Sequence, residues 1–197
     1  MRKLTLDDIV DMRAYERDRD AFRRRIIELK RIRRVGIGPL MSIVFENTET
    51  MRWQVQEMAR VERMLRDEQI QHEIDTYNQI IPEPGQLSGT LLLELTSEAQ
   101  LREWLPRLVG IEFHIGFAFP DGSVALGKPS DEDEERLTRA DTTAAVHFLR
   151  FELTPTQMDE FDTGPVKLIS DHPEYREEIV LDPATREALA ADLRDIT

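Results

Sequence analysis

The chain of 197 residues contains no cysteine. Disulfides, iron–sulfur ligation, thiolate zinc sites and cysteine nucleophiles are therefore excluded, and a redox role would need a partner or a borrowed cofactor. Long apolar runs are lacking too. None approaches the roughly 18 residues of a membrane helix, and the N-terminal segment has no apolar stretch of about 7 to 15 residues that would mark a signal peptide. We therefore expect a soluble, cytoplasmic protein without a membrane partner.

Positive charge is scarce as well, because 26 Lys and Arg stand against 39 Asp and Glu, a formal net charge of −13. Phosphate-rich surfaces repel such a protein, so we expect no nucleic acid partner. The charge is uneven, since residues 1–34 hold 12 of the basic groups and only 7 acidic ones. This basic segment is suited to docking an acidic partner, although pairing with the acidic remainder of the same chain is the simpler interpretation.

The length fits a single domain over residues 1–197. From about Asp18 to Arg34, apolar residues recur every three or four positions, which predicts a basic amphipathic helix. A second helical region runs from about Glu49 to Ile81, and its apolar residues change phase. We therefore expect a kink or break near Asp67 and Glu68, giving two packed segments.

The two apolar stripes of this region are predicted to pack differently, the first on a sheet and the second in another direction. They consist of Met51, Val55, Met58 and Leu65, and of Ile70, Ile74 and Tyr77, respectively. Strand patterns follow at LSGTLLLEL, IEFHIGFAF, AAVHFLRFEL, PVKLIS and EEIVL. Hairpin signals are present and parallel crossovers are few. This favours an α+β fold, with a largely antiparallel sheet packed against the long kinked helical segment and shorter helices.

Residues 128–143 contain the run DEDEE and almost no apolar side chains. This composition predicts a solvated acidic loop.

One set of candidate ligands lies in the second half of the long helical region. Glu68, His72 and Asp75 are spaced i, i+4 and i+7, so a helix would align them along one polar stripe. Carboxylate and imidazole ligands suit iron, manganese or zinc, and a transition metal is the cofactor that this stripe implies. The alternative is a solvated face with a helix-stabilising Glu–His pair, and the chain contains no Glu-x-x-His motif of the kind found in ferritin-like sites.

A second candidate ligand is His172, in the sequence Ser170-Asp171-His172-Pro173. Adjacent residues of these types do not make a catalytic triad, whose members meet from separate elements. The alternative is a structural turn in which Asp171 bonds to its own backbone and Pro173 fixes the chain direction. Of the other histidines, His147 is expected to be a satisfied polar group in a sheet, and His114 to be exposed or paired across strands.

Several segments resemble an uncharacterised bacterial family, a domain of unknown function that spans nearly the whole of such chains. The segments are RRVGIGPLMSIVFEN, QVQEMARVER, IQHEIDTYNQIIPEPGQLSGTLLLEL, FLRFEL and LISDHPEYREEI. The resemblance carries over no catalytic residue. It implies a genetic association with a rubrerythrin and with an iron–sulfur oxidoreductase similar to heterodisulfide reductase subunits, and hence a redox or peroxide-stress setting.

Two hypotheses on function follow. The first is a non-enzymatic accessory or interaction protein that works with a rubrerythrin-like protein and an iron–sulfur oxidoreductase. The second is a metal-binding protein or metal-dependent enzyme that uses Glu68, His72, Asp75 and His172. A small-molecule binding module is a further alternative. Whether the protein is an enzyme is left open by its sequence.

Overall fold

The computed structural model of the protein describes residues 1–129 and 141–194. In this part of the chain the helices are α1 (Met12–Arg33), α2 (Thr48–Val61), α3 (Asp67–Asn78), α4 (Glu98–Arg107), α5 (Pro155–Thr163) and α6 (Pro183–Arg194). The strands are β1 (Arg34–Ile37), β2 (Met41–Glu46), β3 (Gln86–Leu93), β4 (Ile115–Ala118), β5 (Val124–Leu126), β6 (Lys128–Pro129), β7 (Val146–Glu152), β8 (Lys167–His172) and β9 (Tyr175–Val180). Short 3-10 helices span Leu6–Asp8 and Ile111–Phe113.

The strands form two antiparallel sheets. The strand order is β1-β2-β3-β7-β6 in the first sheet and β5-β4-β8-β9 in the second. All hydrogen-bonded neighbours in both sheets run antiparallel. The predicted α+β fold with antiparallel pairing is therefore confirmed, with the pairing divided between two sheets.

Phenylalanine rings from both sheets meet in the main core. Phe117 of β4 lies 5.5 Å from Phe45 of β2 and 4.9 Å from Phe151 of β7, measured between ring centroids. Phe161 of α5 closes the group at 5.4 Å from Phe117. All four rings are buried. Edge-to-face and offset contacts of this kind add to the stabilisation from apolar burial.

The segment around β4 confirms one prediction and corrects another. Ile115, Phe117 and Phe119 are buried, as expected for alternate residues of the strand predicted at IEFHIGFAF. The predicted strand does not extend back over Ile111–Phe113, which forms a 3-10 helix whose last side chain is exposed. Gly110 precedes it with a φ of 87°, a conformation that glycine adopts without strain, so the chain turns before the strand begins.

The predicted break in the long helical region is confirmed, because α2 and α3 are separate helices joined through Arg63 at a φ of 53°. The predicted packing of the two apolar stripes, on a sheet for the first and elsewhere for the second, is wrong. Met51 and Val55 share one buried cluster with Ile74, since α3 folds back onto α2 and the two stripes face each other. Leu65 lies in the connection and is 79% exposed instead of packing on a sheet.

Most of the predicted acidic loop at 128–143 lies outside the described residues, apart from strand β6 at its start and residues 141–143 at its end. Within residues 1–129 and 141–194, none of the helices combines the length and the apolar composition needed to cross a membrane.

Candidate interaction surface

The predicted stripe of Glu68, His72 and Asp75 lies on α3, and all three side chains are exposed. Asp75 accepts a hydrogen bond from the Gln71 side chain at 2.7 Å. Ile74 on the opposite side of the helix is fully buried, which leaves the stripe facing solvent. The stripe is thus arranged as a polar helix face.

His172 is buried in β8, in the second sheet. Its Nδ1 accepts the Glu174 N–H at 3.2 Å, so Nε2 carries the proton and donates to the Val109 carbonyl at 3.2 Å. Both ring nitrogens are engaged by the main chain. Among the described residues, no three His, Cys, Asp or Glu side chains are grouped so as to hold a metal ion, so His172 and the α3 stripe are not brought together. Metal binding by these residues stays a prediction.

His114 pairs across strands, as predicted. Its Nδ1 lies 2.7 Å from the Asp171 carboxylate of β8, and its ring packs edge-on against His172 at 5.0 Å between centroids. The predicted backbone turn at Asp171 is wrong, because Asp171 belongs to β8 and the turn to β9 consists of Pro173 and Glu174. Strands β8 and β9 stay paired as far as His172 and Tyr175, on either side of the turn at Pro173. The Asp171 carboxylate contacts His114, at the start of the neighbouring strand β4, instead of its own backbone.

His147 is a satisfied buried group, also as predicted. Its Nε2 lies 2.9 Å from the Ala144 carbonyl and 3.1 Å from the Thr143 hydroxyl. Its Nδ1 is 4.0 Å from the buried Glu112 carboxylate. These contacts fix the imidazole within the first sheet and give it a structural role.

Helix α1 is held to α2 along one face. Tyr15 and Phe22 are buried against Trp53, with ring centroids 6.2 and 5.1 Å away. At the helix start, the Asp11 carboxylate accepts the Arg13 N–H at 2.9 Å. This N-cap explains why α1 begins six residues earlier than the apolar pattern predicted.

Glu57 of α2 is the polar centre of this helix contact. Its carboxylate accepts the Tyr15 hydroxyl at 2.6 Å and a bidentate pair from Arg19 at 2.7 and 2.8 Å. Arg60 adds a longer contact at 3.3 Å. The Arg19 hydrogen bonds hold the pKa of Glu57 at about 2, against an ordinary value of 4.5. Burial raises the pKa of Tyr15, and the neighbouring Glu57 raises it further.

The variant Glu57→Gln is expected to lower the free energy of unfolding at neutral pH by about 1 to 2 kcal/mol, because a partly exposed ion pair is lost. Since the folded-state pKa of Glu57 is lowered, its stabilisation is complete above pH 4.5 and is lost as the pH falls to about 2. Urea unfolding of both proteins should therefore show their difference shrinking across that window. A difference that stays constant down to about pH 3 contradicts this assignment.

The sides of α1 that do not contact α2 carry positive charge without carboxylate partners. In the described part of the chain, six basic side chains of α1 form no ion pair, and we call them the basic face of α1. Arg13, Arg17 and Arg24 lie on the side opposite α2. The others, Arg23, Arg25 and Lys30, lie on the two flanks, where the Arg25 guanidinium is 5.1 Å from the centroid of the Phe22 ring.

Intramolecular pairing is found for Arg19 with Glu57 and for Arg33 with Asp192, but it does not extend to the basic face. The simpler interpretation of the basic segment thus holds for half of its twelve basic groups, which form ion pairs: Arg2, Lys3, Arg19, Arg31, Arg33 and Arg34.

The basic face also has a regular spacing and an apolar centre. Arg17 and Arg24 lie seven residues apart, two helical turns, so their side chains leave the helix on one line. Ile27 lies beside this line and is 51% exposed. Sequence reasoning located the basic helix but not this face, because only the folded chain shows which arginines lack a carboxylate.

A cavity of about 240 Å³ opens beside the first turn of α1. Tyr15 and Arg60 form its polar wall, and Ile9, Met12 and Ile70 contribute apolar surface. It lies at the end of α1 where the basic face begins with Arg13.

Comparisons with known proteins point to one family. The family model described as "Protein of unknown function (DUF3501)" matches residues 3–193. A crystal structure of a protein of unknown function from Burkholderia pseudomallei is 34% identical, covers 98% of this chain and 100% of its own, and superimposes with a TM-score of 0.89. No curated protein matches the chain. Because the family model spans almost all of its residues, this chain belongs to the DUF3501 family of proteins of unknown function.

Proposed function

We propose that this protein is a non-enzymatic accessory protein that acts by binding another protein in a redox or peroxide-stress setting. The observation that carries the proposal is the basic face of α1, six basic side chains without ionic partners on a chain of net charge −13. Guanidinium groups are suited to bidentate hydrogen bonds with carboxylates. The partner surface that fits this face is therefore acidic.

The face is presented on a well-anchored helix. The aromatic contacts of Tyr15 and Phe22 and the Arg19–Glu57 pair fix the inner side of α1, so the outer arginines project from a rigid backbone. A preorganised surface loses less conformational entropy on binding than a loop does. The half-exposed Ile27 supplies an apolar contact among the charges.

The family resemblance names two partners to test, a rubrerythrin-like protein and an iron–sulfur oxidoreductase of the same host. The chain has no thiol of its own, so thiol chemistry and cysteine-bound clusters would reside in the partner. An accessory role, in which the partner supplies the redox-active groups and this protein only binds it, is consistent with that composition.

Binding of each purified candidate, measured by biolayer interferometry at about 0.15 M salt, tests the proposal. The double variant Arg17→Glu/Arg24→Glu is expected to weaken binding at least about tenfold, because two attractive contacts become repulsive. The matched control is Arg102→Glu/Arg176→Glu, which makes the same charge change on exposed residues of α4 and β9 and should leave the affinity unchanged. If neither candidate binds the wild-type protein, the redox-partner proposal is overturned. Equal affinities of the two variants would overturn the role of α1.

A further inference from the structure

We infer that the cavity beside the first turn of α1 binds a small neutral molecule with an apolar body and one hydroxyl group. Four segments meet around this cavity: residues 9–11, the start of α1, the end of α2 with the connection after it, and the start of α3. Its volume is about 240 Å³. An apolar cavity of about 150 Å³ already holds benzene, so this one has room for a single substituted ring.

Contacts within the chain hold the walls of the cavity in place. The Gln56 side chain accepts the Val10 N–H at 3.1 Å and donates to the Val10 carbonyl at 3.0 Å, which fixes residues 9–11 to α2. At the end of α2, the Met64 N–H donates to the Ala59 carbonyl at 2.9 Å. Ala59 is 6% exposed and contributes only a methyl group to the lining. A site with fixed walls needs little reordering to bind a ligand.

Apolar residues make up most of the lining. Ile9, Met12 and Ile70 contribute apolar surface, and Val10 and Leu65 lie at the cavity with 49% and 79% of their surface exposed. Binding of an apolar body would remove these side chains from water, which is favourable in proportion to the area buried. The larger part of the ligand is therefore apolar.

Two polar groups that meet at one wall select the hydroxyl group. The Tyr15 hydroxyl donates its proton to Oε1 of Glu57 at 2.6 Å, so the Tyr15 oxygen is left to accept a hydrogen bond. The Arg60 guanidinium can only donate, and its bond to the same Oε1 is long, at 3.3 Å. Its Nη1 lies 3.7 Å from the Glu16 carboxylate, beyond hydrogen-bond distance. A hydroxyl group, which both donates and accepts, complements this pair of groups.

The charges at the cavity favour a neutral ligand. Among the described residues that line it, Arg60 is the cation, and Asp11 and Asp67 are the anions. The Asp11 carboxylate already accepts the first N–H groups of α1. An anionic ligand would be attracted by Arg60 and repelled by Asp67, and a cationic ligand would meet the reverse. Because a charge also loses its hydration on entering an apolar site, a neutral molecule is preferred to either.

This inference goes beyond the proposed function, since the ligand is a small molecule and the purified protein alone suffices to test it. A failure to bind the small molecule would leave the binding of an acidic partner to the basic face of α1 intact. Loss of partner binding would likewise leave the cavity and its ligand measurable.

Titration of the full chain with para-ethylphenol, followed by heteronuclear NMR, is the test. This probe is expected to bind with a dissociation constant of about 1 mM or less, within the range for a ligand of about nine non-hydrogen atoms. The shifted amide signals should be those of residues around the cavity, such as Met12, Ala59 and Ile70. Para-ethylbenzoate and para-ethylbenzylamine, its anionic and cationic counterparts, should bind at least about tenfold more weakly.

Two variants test the assignment of the walls. Ala59→Leu places a larger side chain in the cavity and is expected to weaken the binding of para-ethylphenol at least about tenfold. Its matched control is Ala21→Leu, the same change at an exposed position of α1, which should leave the dissociation constant unchanged. Arg60→Met removes the donor and should reduce the preference for para-ethylphenol over ethylbenzene, which has no hydroxyl group.

Circular dichroism establishes that each variant is folded. If the wild-type protein does not bind para-ethylphenol at concentrations up to about 10 mM, the inference is overturned. Amide shifts that lie away from the cavity overturn it as well, whether or not Ala59→Leu folds. A charged counterpart that binds as tightly as the phenol, or equal effects of Ala59→Leu and Ala21→Leu, would also contradict it.

Discussion

Replacing Arg33 by alanine is expected to lower the free energy of unfolding by about 3 to 5 kcal/mol, the usual cost of removing one partner of a buried ion pair. Arg33 ends α1 and is 2% exposed. Its guanidinium donates to the Phe45 carbonyl at 2.9 Å and pairs with Asp192 of α6. Burial lowers the pKa of Arg33 to about 10, and the nearby buried Glu46 opposes that shift. Alanine at this position would leave the carboxylates of Asp192 and Glu46 without the neighbouring guanidinium.

Chemical denaturation with circular dichroism measures this effect. The control is Arg102→Ala, which breaks the fully solvated pair with Glu98 on α4 and should cost less than about 0.5 kcal/mol. The double variant Arg33→Met/Asp192→Leu should recover part of the loss, because apolar replacement of both partners leaves fewer unpaired buried charges. A cost below about 1 kcal/mol for Arg33→Ala would contradict the buried pair as the anchor of α1.

Phe117→Ala is expected to cost a comparable 3 to 5 kcal/mol, roughly, because it opens a cavity at the contact of the two sheets. Phe117 touches the rings of Phe45, Phe151 and Phe161, so both sheets and α5 lose contacts at once. The side chain is completely buried, and the structure around a cavity in a packed core relaxes only partially.

Phe113→Ala is the matched control for this variant. It removes the same side chain four positions earlier, where the ring is 44% exposed on the 3-10 helix before β4, and should cost about 1 kcal/mol or less. Urea unfolding of both variants compares the two costs directly. Equal losses for Phe113→Ala and Phe117→Ala would show that the phenylalanine cluster is not the shared core of the sheets.

Local patterns predicted those features that depend on neighbouring residues. The alternation through Phe117 located β4, and the phase change in the second helical region located the break between α2 and α3. Both depend on which side of a strand or helix each residue occupies, which spacing determines. The start of α1 was missed because the cap at Asp11 precedes the first apolar residue of the pattern.

The features that were mispredicted depend on contacts between distant residues. The carboxylate of Asp171 lies 57 positions from His114, so no local turn pattern could reveal that the two are paired. The four candidate ligands stand on separate elements, three on α3 and one on β8, and metal binding by them stays a prediction. Spacing along one helix cannot show whether a second element supplies further ligands.

The sequence by itself determined the α+β class, the antiparallel pairing and the break in the long helical region. It also determined that basic groups are concentrated in residues 1–34, because each of these features follows from spacing or composition. Only the tertiary structure decided that the strands divide into two sheets and that Leu65 is exposed. It also decided which charges of α1 are neutralised, pairing Arg19 with Glu57 and leaving Arg24 without a carboxylate. An ion pair requires two groups within about 4 Å, and that distance is set by how helices pack, not by their order in the chain.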